Sequence, residues 1–138
     1  FKETSTKKFI FNYDKFSNTK KITKSIEIVY GLRNFIGNAN KFSNETIHVT
    51  LKSDSEITEI TIEDDGNGYS KDVLSKIGEP YLRTKDPIDK SKAGLGLGLF
   101  IGKTLLEKNF ASINCRNSKT RRGAEVIIKW DNKDLFNI

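Results

Sequence analysis

The stretch "ITIEDDGNGYS", Ile60–Ser70, passes from a strand pattern to a turn pattern within a few residues. Side chains alternate between the two faces of a strand, so Ile62 and Asp64 share one face. An acid at the end of an apolar face is unfavourable unless a partner satisfies it. A hydrogen bond from an exocyclic amine is one solution, and Gly66 and Gly68 would let the backbone approach such a ligand closely. An ordinary Asp-Gly turn is the alternative, and this motif in isolation favours it.

Alternating and periodic segments on both sides of this stretch predict the rest of the fold. Strands are predicted at "KKFIFNYD", "TIHVTLK", "EITEITIED", "ASINCRN" and "GAEVIIKW". Helices are predicted at "ITKSIEIVYGLRNFIGNANKFS", at "SKDVLSKI" with Ser70 as its cap, and at "LGLFIGKTLLEKN". Strands in hairpins with helices between them predict an α+β fold, a two-layer α/β sandwich with a largely antiparallel sheet.

Composition indicates one globular domain, 1–138. The chain has 138 residues, a formal net charge of +6, 36% hydrophobic residues and 30% charged residues, which excludes a disordered class. Its longest uncharged apolar run, residues 93–102, is too short to span a bilayer. The absence of methionine leads us to interpret the chain as a fragment of a longer protein.

Two features of composition bear on function. The single cysteine, Cys115, excludes an internal disulfide, and its strand face, shared with Ala111 and Ile113, predicts core packing. Positive charge would suit nucleic acid, but the lysines are scattered and no aromatic-basic motif accompanies them. A solvated basic surface is therefore preferred, and a nucleic-acid-binding module ranks last among the alternatives.

Asn34, Asn38 and Lys41 fall on one stripe of the long predicted helix, because they are spaced four and three residues apart. Two amides and an ammonium group fit a magnesium–nucleotide site, since Mg²⁺ takes few protein ligands when phosphates supply the rest. The Asn38 carbonyl would then ligate the metal, Lys41 would neutralise phosphate, and Phe42 could stack on a base. A solvated helix face with chance asparagines explains these residues equally well.

A polar stretch at residues 79–92 holds both prolines and several cations, including Arg83. It suits a mobile cationic flap over phosphates, and equally a plain solvated loop. Gly94, Gly96 and Gly98 follow and are predicted to precede a helix. Each glycine lowers helix propensity by about 1 kcal/mol relative to alanine, so the run predicts a phosphate cradle and a lid hinge. It matches neither the G-x-x-x-x-G-K-[ST] phosphate loop nor the dinucleotide fingerprint.

Taken in this order, the four segments resemble the boxes of the GHKL ATP-binding fold, specifically the catalytic domain of sensor histidine kinases. The matching stretches are "NFIGNANKFS" for the N box, "DDGNG" for the first glycine box, "EPYLRT" for the F box and "GLGLGLFIGK" for the second glycine box. "GAEVII" is similar to the entry of the closing strand. The resemblance extends from the first strand to Trp130 and implies a Bergerat-type fold with helices on one face and a flexible ATP lid. The stretches "YGLRNFIGNANKFS" and "GEPYLRT" further resemble the RegB/PrrB branch of redox-responsive sensor kinases.

The resemblance implies a role for each matching residue. Asn38 would ligate Mg²⁺, and Asn34 would support the region where phosphate meets metal. Lys41 would contact phosphate, Arg83 would reach the γ-phosphate when the lid closes, and Asp64 would accept the adenine amine. The remaining implied nucleotide-binding residues shape the adenine pocket, the F box or the phosphate cradle: Phe42, Gly66, Gly68, Tyr81, Gly94, Leu95, Gly96, Leu97 and Gly98.

Tyr30 departs from the pattern of the ATP-hydrolysing relatives, in which a glutamate four residues before the first asparagine of the N box serves as general base. The match therefore favours phosphoryl donation over hydrolysis. It disfavours a stand-alone serine kinase of the anti-sigma-factor type, and likewise a chaperone or topoisomerase ATPase. A nucleotide sensor that binds ATP without transferring phosphate remains an alternative.

The single histidine, His48, does not fit the acceptor of such a kinase. It alternates with Ile47 and Val49 on a predicted strand, faces away from the core and lacks an acidic neighbour of the kind found in the acceptor-helix motif. The resemblance thus implies an acceptor on a separate dimerisation domain, with onward transfer to a response regulator. It also implies ATP and Mg²⁺ as cofactors, no direct nucleic-acid partner, and a cytoplasmic domain that is monomeric in isolation. The parent would be a homodimer anchored in the bacterial inner membrane.

Overall fold

The computed structural model describes residues 7–13, 25–77 and 90–135, with side chains placed at 7–12, 25–75 and 98–135. The elements in chain order are β1 (Lys8–Tyr13), α1 (Ile26–Phe42), β2 (Thr46–Ser53), β3 (Ile57–Asp64), α2 (Lys71–Ile77), α3 (Lys90–Lys108), β4 (Ser112–Asn117), β5 (Ala124–Asp131) and α4 (Asn132–Leu135). All five predicted strands and all three predicted helices are present; α4 was not predicted.

The five strands form one sheet in the order β1-β2-β3-β5-β4. β1 and β2 run parallel, whereas the other three pairs are antiparallel. The predicted α+β architecture with a mostly antiparallel, mixed sheet is confirmed. Because β3 is central, the turn that follows it opens in the middle of one sheet edge.

Helix α1 begins where Ser25 caps it, with the Ser25 hydroxyl accepting a hydrogen bond from the Ile28 N–H at 3.4 Å. The prediction extended this helix back to Ile22, which lies outside the described residues. Its buried positions recur at the helical period and include Ile28, Phe35 and Ala39. The same period brings Asn34 and Asn38 to a neighbouring stripe, close to the sheet edge.

Helices α1 and α3 approach closely because glycines lie at their contact. A Cβ at Gly102 would come within 2.8 Å of the Phe35 ring and 3.1 Å of the Gly31 carbonyl oxygen. A Cβ at Gly31 would similarly come within 2.7 Å of Leu106. Gly31 of α1 and Gly102 of α3 therefore let the two helix backbones meet.

The prediction that the glycine run precedes a helix is wrong. α3 begins at Lys90, so Gly94, Gly96 and Gly98 lie inside it, together with Leu95 and Leu97. The burial of α3 accounts for the difference between the predicted and the observed start of the helix. Leu99 is 3% exposed and Leu106 is completely buried. Such tertiary packing outweighs a propensity penalty of about 1 kcal/mol per glycine.

A single hydrophobic cluster joins the sheet to the helices. Ile47, Ile62 and Ile128 from three neighbouring strands are at most 1% exposed, as is Phe35 of α1. Among the helices of the described ranges, none combines the length and apolar character needed to cross a membrane.

Cys115 packs against this core, as predicted. Burial raises the pKa of its thiol to about 11, so the thiol is protonated near neutral pH.

His48 has Glu63 as its cross-strand partner, on the face of β2 opposite to Ile47. This agrees with the prediction that it faces away from the core. Its Nδ1 atom is nevertheless buried, without a hydrogen-bond partner among the described residues. Burial, followed by the charge of Arg121, lowers its pKa.

Candidate nucleotide site

Asp64 ends β3 on the buried face of the sheet and is only 4% exposed. Its Oδ1 atom accepts hydrogen bonds from the Gly66 N–H at 2.9 Å and the Ala124 N–H at 3.2 Å. Burial raises the pKa of Asp64, although these two N–H groups oppose the shift. A carboxylate held in this way is fixed in direction and gains from a further donor.

Asp64 faces a cavity of about 90 Å³ between the end of α1 and the turn after β3. The predicted residues Asn38, Phe42 and Gly68 line it together with Asp64. Three further lining residues were not predicted: Asn67, Tyr69 and Ala124. The structure thus brings the N box and the first glycine box to one cavity, as the resemblance implied.

Two glycines near Asp64, Gly66 and Gly123, occupy positions where a side chain would collide with the surrounding backbone. A Cβ at Gly66 would lie 2.1 Å from the Phe42 carbonyl oxygen. A Cβ at Gly123 would lie 2.0 Å from the Asp64 carbonyl oxygen and 2.3 Å from its Oδ1 atom. Gly66 therefore holds the turn against α1, whereas Gly123, which was not among the predicted site residues, holds β5 against the acid.

Asp65, the next residue, has the opposite role. Its carboxylate accepts hydrogen bonds from the N–H groups of Asn44, Glu45 and Thr46 at 2.8 to 3.1 Å. Burial alone would raise the pKa of Asp65, but these hydrogen bonds outweigh it and lower the pKa. Asp65 thereby ties the turn after β3 to the segment that joins α1 to β2, a role that sequence reasoning missed.

The last turns of α1 carry the remaining predicted residues that the structure describes. Asn34 donates from Nδ2 to the Tyr30 carbonyl oxygen at 2.8 Å, and its Oδ1 atom faces Gly98 of α3. The Lys41 Nζ atom lies 5.3 Å from the centroid of the Phe42 ring, and Phe42 is 41% exposed. A cation thus lies beside an exposed aromatic ring that lines the cavity.

Lys7 closes the end of α1 from the other side and was also missed. Its ammonium group donates to the carbonyl oxygens of Asn40 and Ser43. The Asn40 carbonyl is among the last of the helix and Ser43 is the residue that caps it, and positive charge is favourable at this end of a helix. Burial is the largest influence on the pKa of Asp64 and raises it, and the charge of Lys7 opposes that shift.

Among the predicted residues whose side chains the structure describes, four do not line the cavity: Asn34, Lys41, Gly66 and Gly98. Gly94, Leu95, Gly96 and Leu97 lie along α3, where only the backbone is described. Tyr81 and Arg83, the F-box residues, lie outside the described residues.

The model of the family of histidine kinase-, DNA gyrase B- and HSP90-like ATPases matches residues 23–134. The chain belongs to this family. It is therefore an ATP-binding domain, of the catalytic type found in sensor histidine kinases.

Individual relatives agree with this family. The chain is 35% identical over 102 residues to sensor histidine kinase RegB of Cereibacter sphaeroides, covering 70% of this chain and 22% of that protein. It is 32% identical over 87 residues to sensor histidine kinase CpxA of Escherichia coli, covering 63% and 19% respectively. The chain thus spans about a fifth of the length of the curated relatives it matches.

Solved structures show the same fold. The catalytic domain of histidine kinase ThkA superposes with a TM-score of 0.69 at 22% identity, covering 90% of this chain and 79% of that one. The mycobacterial sensor histidine kinase MprB gives a TM-score of 0.67 at 21% identity, covering 90% and 82%.

Proposed function

We propose that this chain binds ATP with its adenine amine on Asp64 and donates the γ-phosphoryl group to a histidine of a separate dimerisation domain. The observation that carries the proposal is the environment of Asp64. The carboxylate is buried and oriented by two N–H groups, and it faces a cavity that Asn38 and Phe42 also line. An exocyclic amine is the donor that such a carboxylate lacks.

Two groups of residues would then bind the two ends of the nucleotide, the base and the phosphates. Asp64 and the turn after β3 would hold the base, with Phe42 against its face. Lys41, on the last turn of α1, would contact phosphate. Arg83 and the glycines Gly94, Gly96 and Gly98 would complete the phosphate end, with Tyr81, Leu95 and Leu97 beside them. Phosphate contacts of this kind position the transferred group and neutralise its charge.

The donor set at the end of α1 fits Mg²⁺. Asn38 lines the cavity and offers a neutral amide oxygen, which suits a metal whose other ligands are phosphate oxygens and waters. Asn34 lies one turn earlier on the same stripe. When bound, the metal ion would supply positive charge close to the transferred phosphoryl group.

The proposed reaction transfers the γ-phosphoryl group from an oxygen of ATP to a nitrogen of the acceptor histidine. An imidazole nitrogen of the acceptor forms a bond to the γ-phosphorus while the bond to the β–γ bridging oxygen breaks, and ADP leaves. Donation rather than hydrolysis is supported by Tyr30, which occupies the general-base position. Its side chain is 57% exposed and is not among the residues that line the cavity.

The place of this chain in a larger protein follows from its relatives. We infer a parent kinase that dimerises, carries the acceptor histidine outside this chain and passes the phosphoryl group to a response regulator. A membrane anchor with this domain in the cytoplasm belongs to the same proposal. The likeness to RegB supports a redox-responsive branch. Burial raises the pKa of the Cys115 thiol to about 11, which disfavours the thiolate that redox chemistry requires.

The test is calorimetric titration with a non-hydrolysable ATP analogue, with and without Mg²⁺. Asp64→Asn should weaken binding by about tenfold or more, or about 1.4 kcal/mol, because an amide accepts the adenine amine less well than a carboxylate. Asp131→Asn is the matched control, since Asp131 is exposed at the far end of β5. Equal affinities for the wild type and Asp64→Asn would overturn the adenine assignment.

A second arm separates a kinase from a nucleotide sensor. The histidine-bearing dimerisation domain of the parent kinase is mixed with this chain and radiolabelled ATP. Acid-labile phosphohistidine should form with the wild type and not with Asp64→Asn. Tight nucleotide binding without any transfer would instead identify a sensor.

A further inference from the structure

Asn117 ends β4 outside every motif described above, yet it contacts the nucleotide cavity indirectly. Its Oδ1 atom accepts a hydrogen bond from the Tyr69 N–H at 2.6 Å, and its Nδ2 atom donates to the Tyr69 carbonyl oxygen at 3.1 Å. One carboxamide thus satisfies both backbone groups of one residue, as a neighbouring strand would. We call this pair of hydrogen bonds the Asn117 clasp.

The clasp holds the part of the turn whose backbone is least usual. Gly68 has a φ of +76°, a conformation that residues with a Cβ rarely adopt. A Cβ at Gly68 would also lie 2.7 Å from the Asn117 Oδ1 atom. The conformation of Gly68 and the position of Asn117 are therefore matched to each other.

Gly68 and Tyr69 both line the cavity that Asp64 faces. Tyr69 is buried, and burial raises the pKa of its hydroxyl, so the hydroxyl stays protonated near neutral pH. The start of the turn is already anchored by Asp65, which binds the segment between α1 and β2, and by Gly66, which packs against the end of α1. The clasp is the anchor at the other end of the same turn.

We propose that Asn117 is a positioning residue for the base end of the nucleotide cavity. This rests on the proposed function, because it assumes that the base lies against Asp64. Without the clasp, Gly68 and Tyr69 explore additional conformations in the free protein, and binding must order them again. The loss should therefore be a loss of affinity for the base, not of the phosphate contacts.

A merely structural role makes a different prediction. If Asn117 only stabilised the fold, its removal would lower the melting temperature and leave the affinity of the folded fraction unchanged. If it acted on the phosphate end, the loss of affinity would grow with the number of phosphates. A base-end role predicts the same factor for adenosine, ADP and a non-hydrolysable ATP analogue.

The experiment measures the affinity of the full chain for these three ligands by calorimetry, below the melting temperature of each variant. Asn117→Ala should weaken all three by a common factor of about three to ten, the effect of about one net hydrogen bond. It should also accelerate hydrogen exchange at the Tyr69 amide. Asn114→Ala, an exposed substitution on the same strand, should match the wild type.

Asn117→Asp keeps the acceptor for the Tyr69 N–H and loses the donor, so it should retain part of the affinity and serves if the alanine variant does not fold. Unchanged affinity in both variants, or a factor that rises with phosphate number, would overturn the proposal. If the wild type and Asn114→Ala bind none of the three ligands, the proposed function itself fails. That outcome is distinguishable, because it does not depend on Asn117.

Discussion

The two ends of strand β3 carry similar polar groups but use them differently. At the Ile57 end, the Thr58 hydroxyl donates to the Asn132 Oδ1 atom at 2.7 Å, and the Asn132 Nδ2 atom donates to the Asp54 carbonyl oxygen at 2.7 Å. The Asn132 N–H donates to the Glu56 carbonyl oxygen. The side-chain amide of Asn132 is thus used on both sides within the protein, and it closes the hairpin turn.

At the Asp64 end, the carboxylate has two N–H donors on one oxygen and a cavity in front of it. Burial raises its pKa, so ionisation of Asp64 lowers the stability of the folded protein. A polar cluster that is complete within the chain stabilises the fold, whereas one that faces a cavity is prepared for a ligand. The predictions below test this contrast.

The largest effect is expected for Gly123→Ala. Its Cβ would collide with the Asp64 backbone and Oδ1 atoms, so β5 or the acid must move. We expect a loss of about 3 kcal/mol in the free energy of unfolding and loss of measurable nucleotide binding. Denaturant titration and calorimetry would measure the two effects.

Gly98→Ala is the control for this substitution. Among the residues whose side chains are described, a Cβ at Gly98 meets only the Asn34 Oδ1 atom, at 3.8 Å. Alanine also favours the helix by about 1 kcal/mol. This variant should be more stable than the wild type. Equal destabilisation by both substitutions would contradict the packing assigned to Gly123.

Asn132→Ala should destabilise the protein without affecting the ligand. It removes both side-chain hydrogen bonds of a residue that is 4% exposed, which we expect to lower the free energy of unfolding by about 2 kcal/mol. Nucleotide affinity, measured by calorimetry below the melting temperature, should match the wild type. A loss of affinity comparable to that of Asp64→Asn would mean that the two ends of β3 are coupled.

Asp65→Asn should destabilise the protein by a similar or smaller amount, about 2 kcal/mol near neutral pH. The amide leaves the N–H groups of Asn44, Glu45 and Thr46 with one acceptor oxygen instead of two. Because the pKa of Asp65 is lower in the folded protein than its ordinary value, its stabilisation is present above that ordinary value. It is lost as the pH falls through the folded pKa.

The adjacent acid provides the opposite sign for comparison. Asp64 has a raised pKa, so the wild type loses stability as the pH rises from the ordinary aspartate range through the folded pKa. Asp64→Asn lacks this loss and should be at least as stable as the wild type at neutral pH. Unfolding free energies measured from about pH 3 to about pH 7, a range that spans the titration of aspartate, would test the opposite pH dependences predicted for Asp64 and Asp65. Parallel curves for the two variants would contradict the assignment.

Part of this site could be predicted from local sequence because local geometry fixes it. The alternation of β3 puts Asp64 on the same face as Ile62, and the helical spacing of α1 puts Asn38 beside Asn34. These relations hold whatever the rest of the chain does. Residue type alone does not distinguish Asp64 from Asp65. The alternation of the strand does, because it places only Asp64 on the buried face.

The rest depends on contacts between distant residues. Asn117 meets Tyr69 across 48 positions, and Lys7 meets Asn40 across 33, so no local pattern contains either contact. The glycine run was misjudged for the same reason. Propensity opposes a helix at Gly94 to Gly98, whereas the buried residues that pack α3 against the core and α1, Leu99, Gly102 and Leu106, lie farther along the chain.

The smallest effect is expected for Lys7→Met, which removes the ammonium group from the end of α1 and keeps most of the side-chain length. We expect a loss of about 1 kcal/mol in the free energy of unfolding. Lys7 also lowers the pKa of Asp64, so the variant should shift the acidic limb of nucleotide binding to higher pH, since Asp64 must be ionised to accept the adenine amine. Lys8→Met, at the exposed neighbouring position, should change neither quantity. If both variants leave the pH profile of binding unchanged, Lys7 only caps the helix and does not act on the carboxylate.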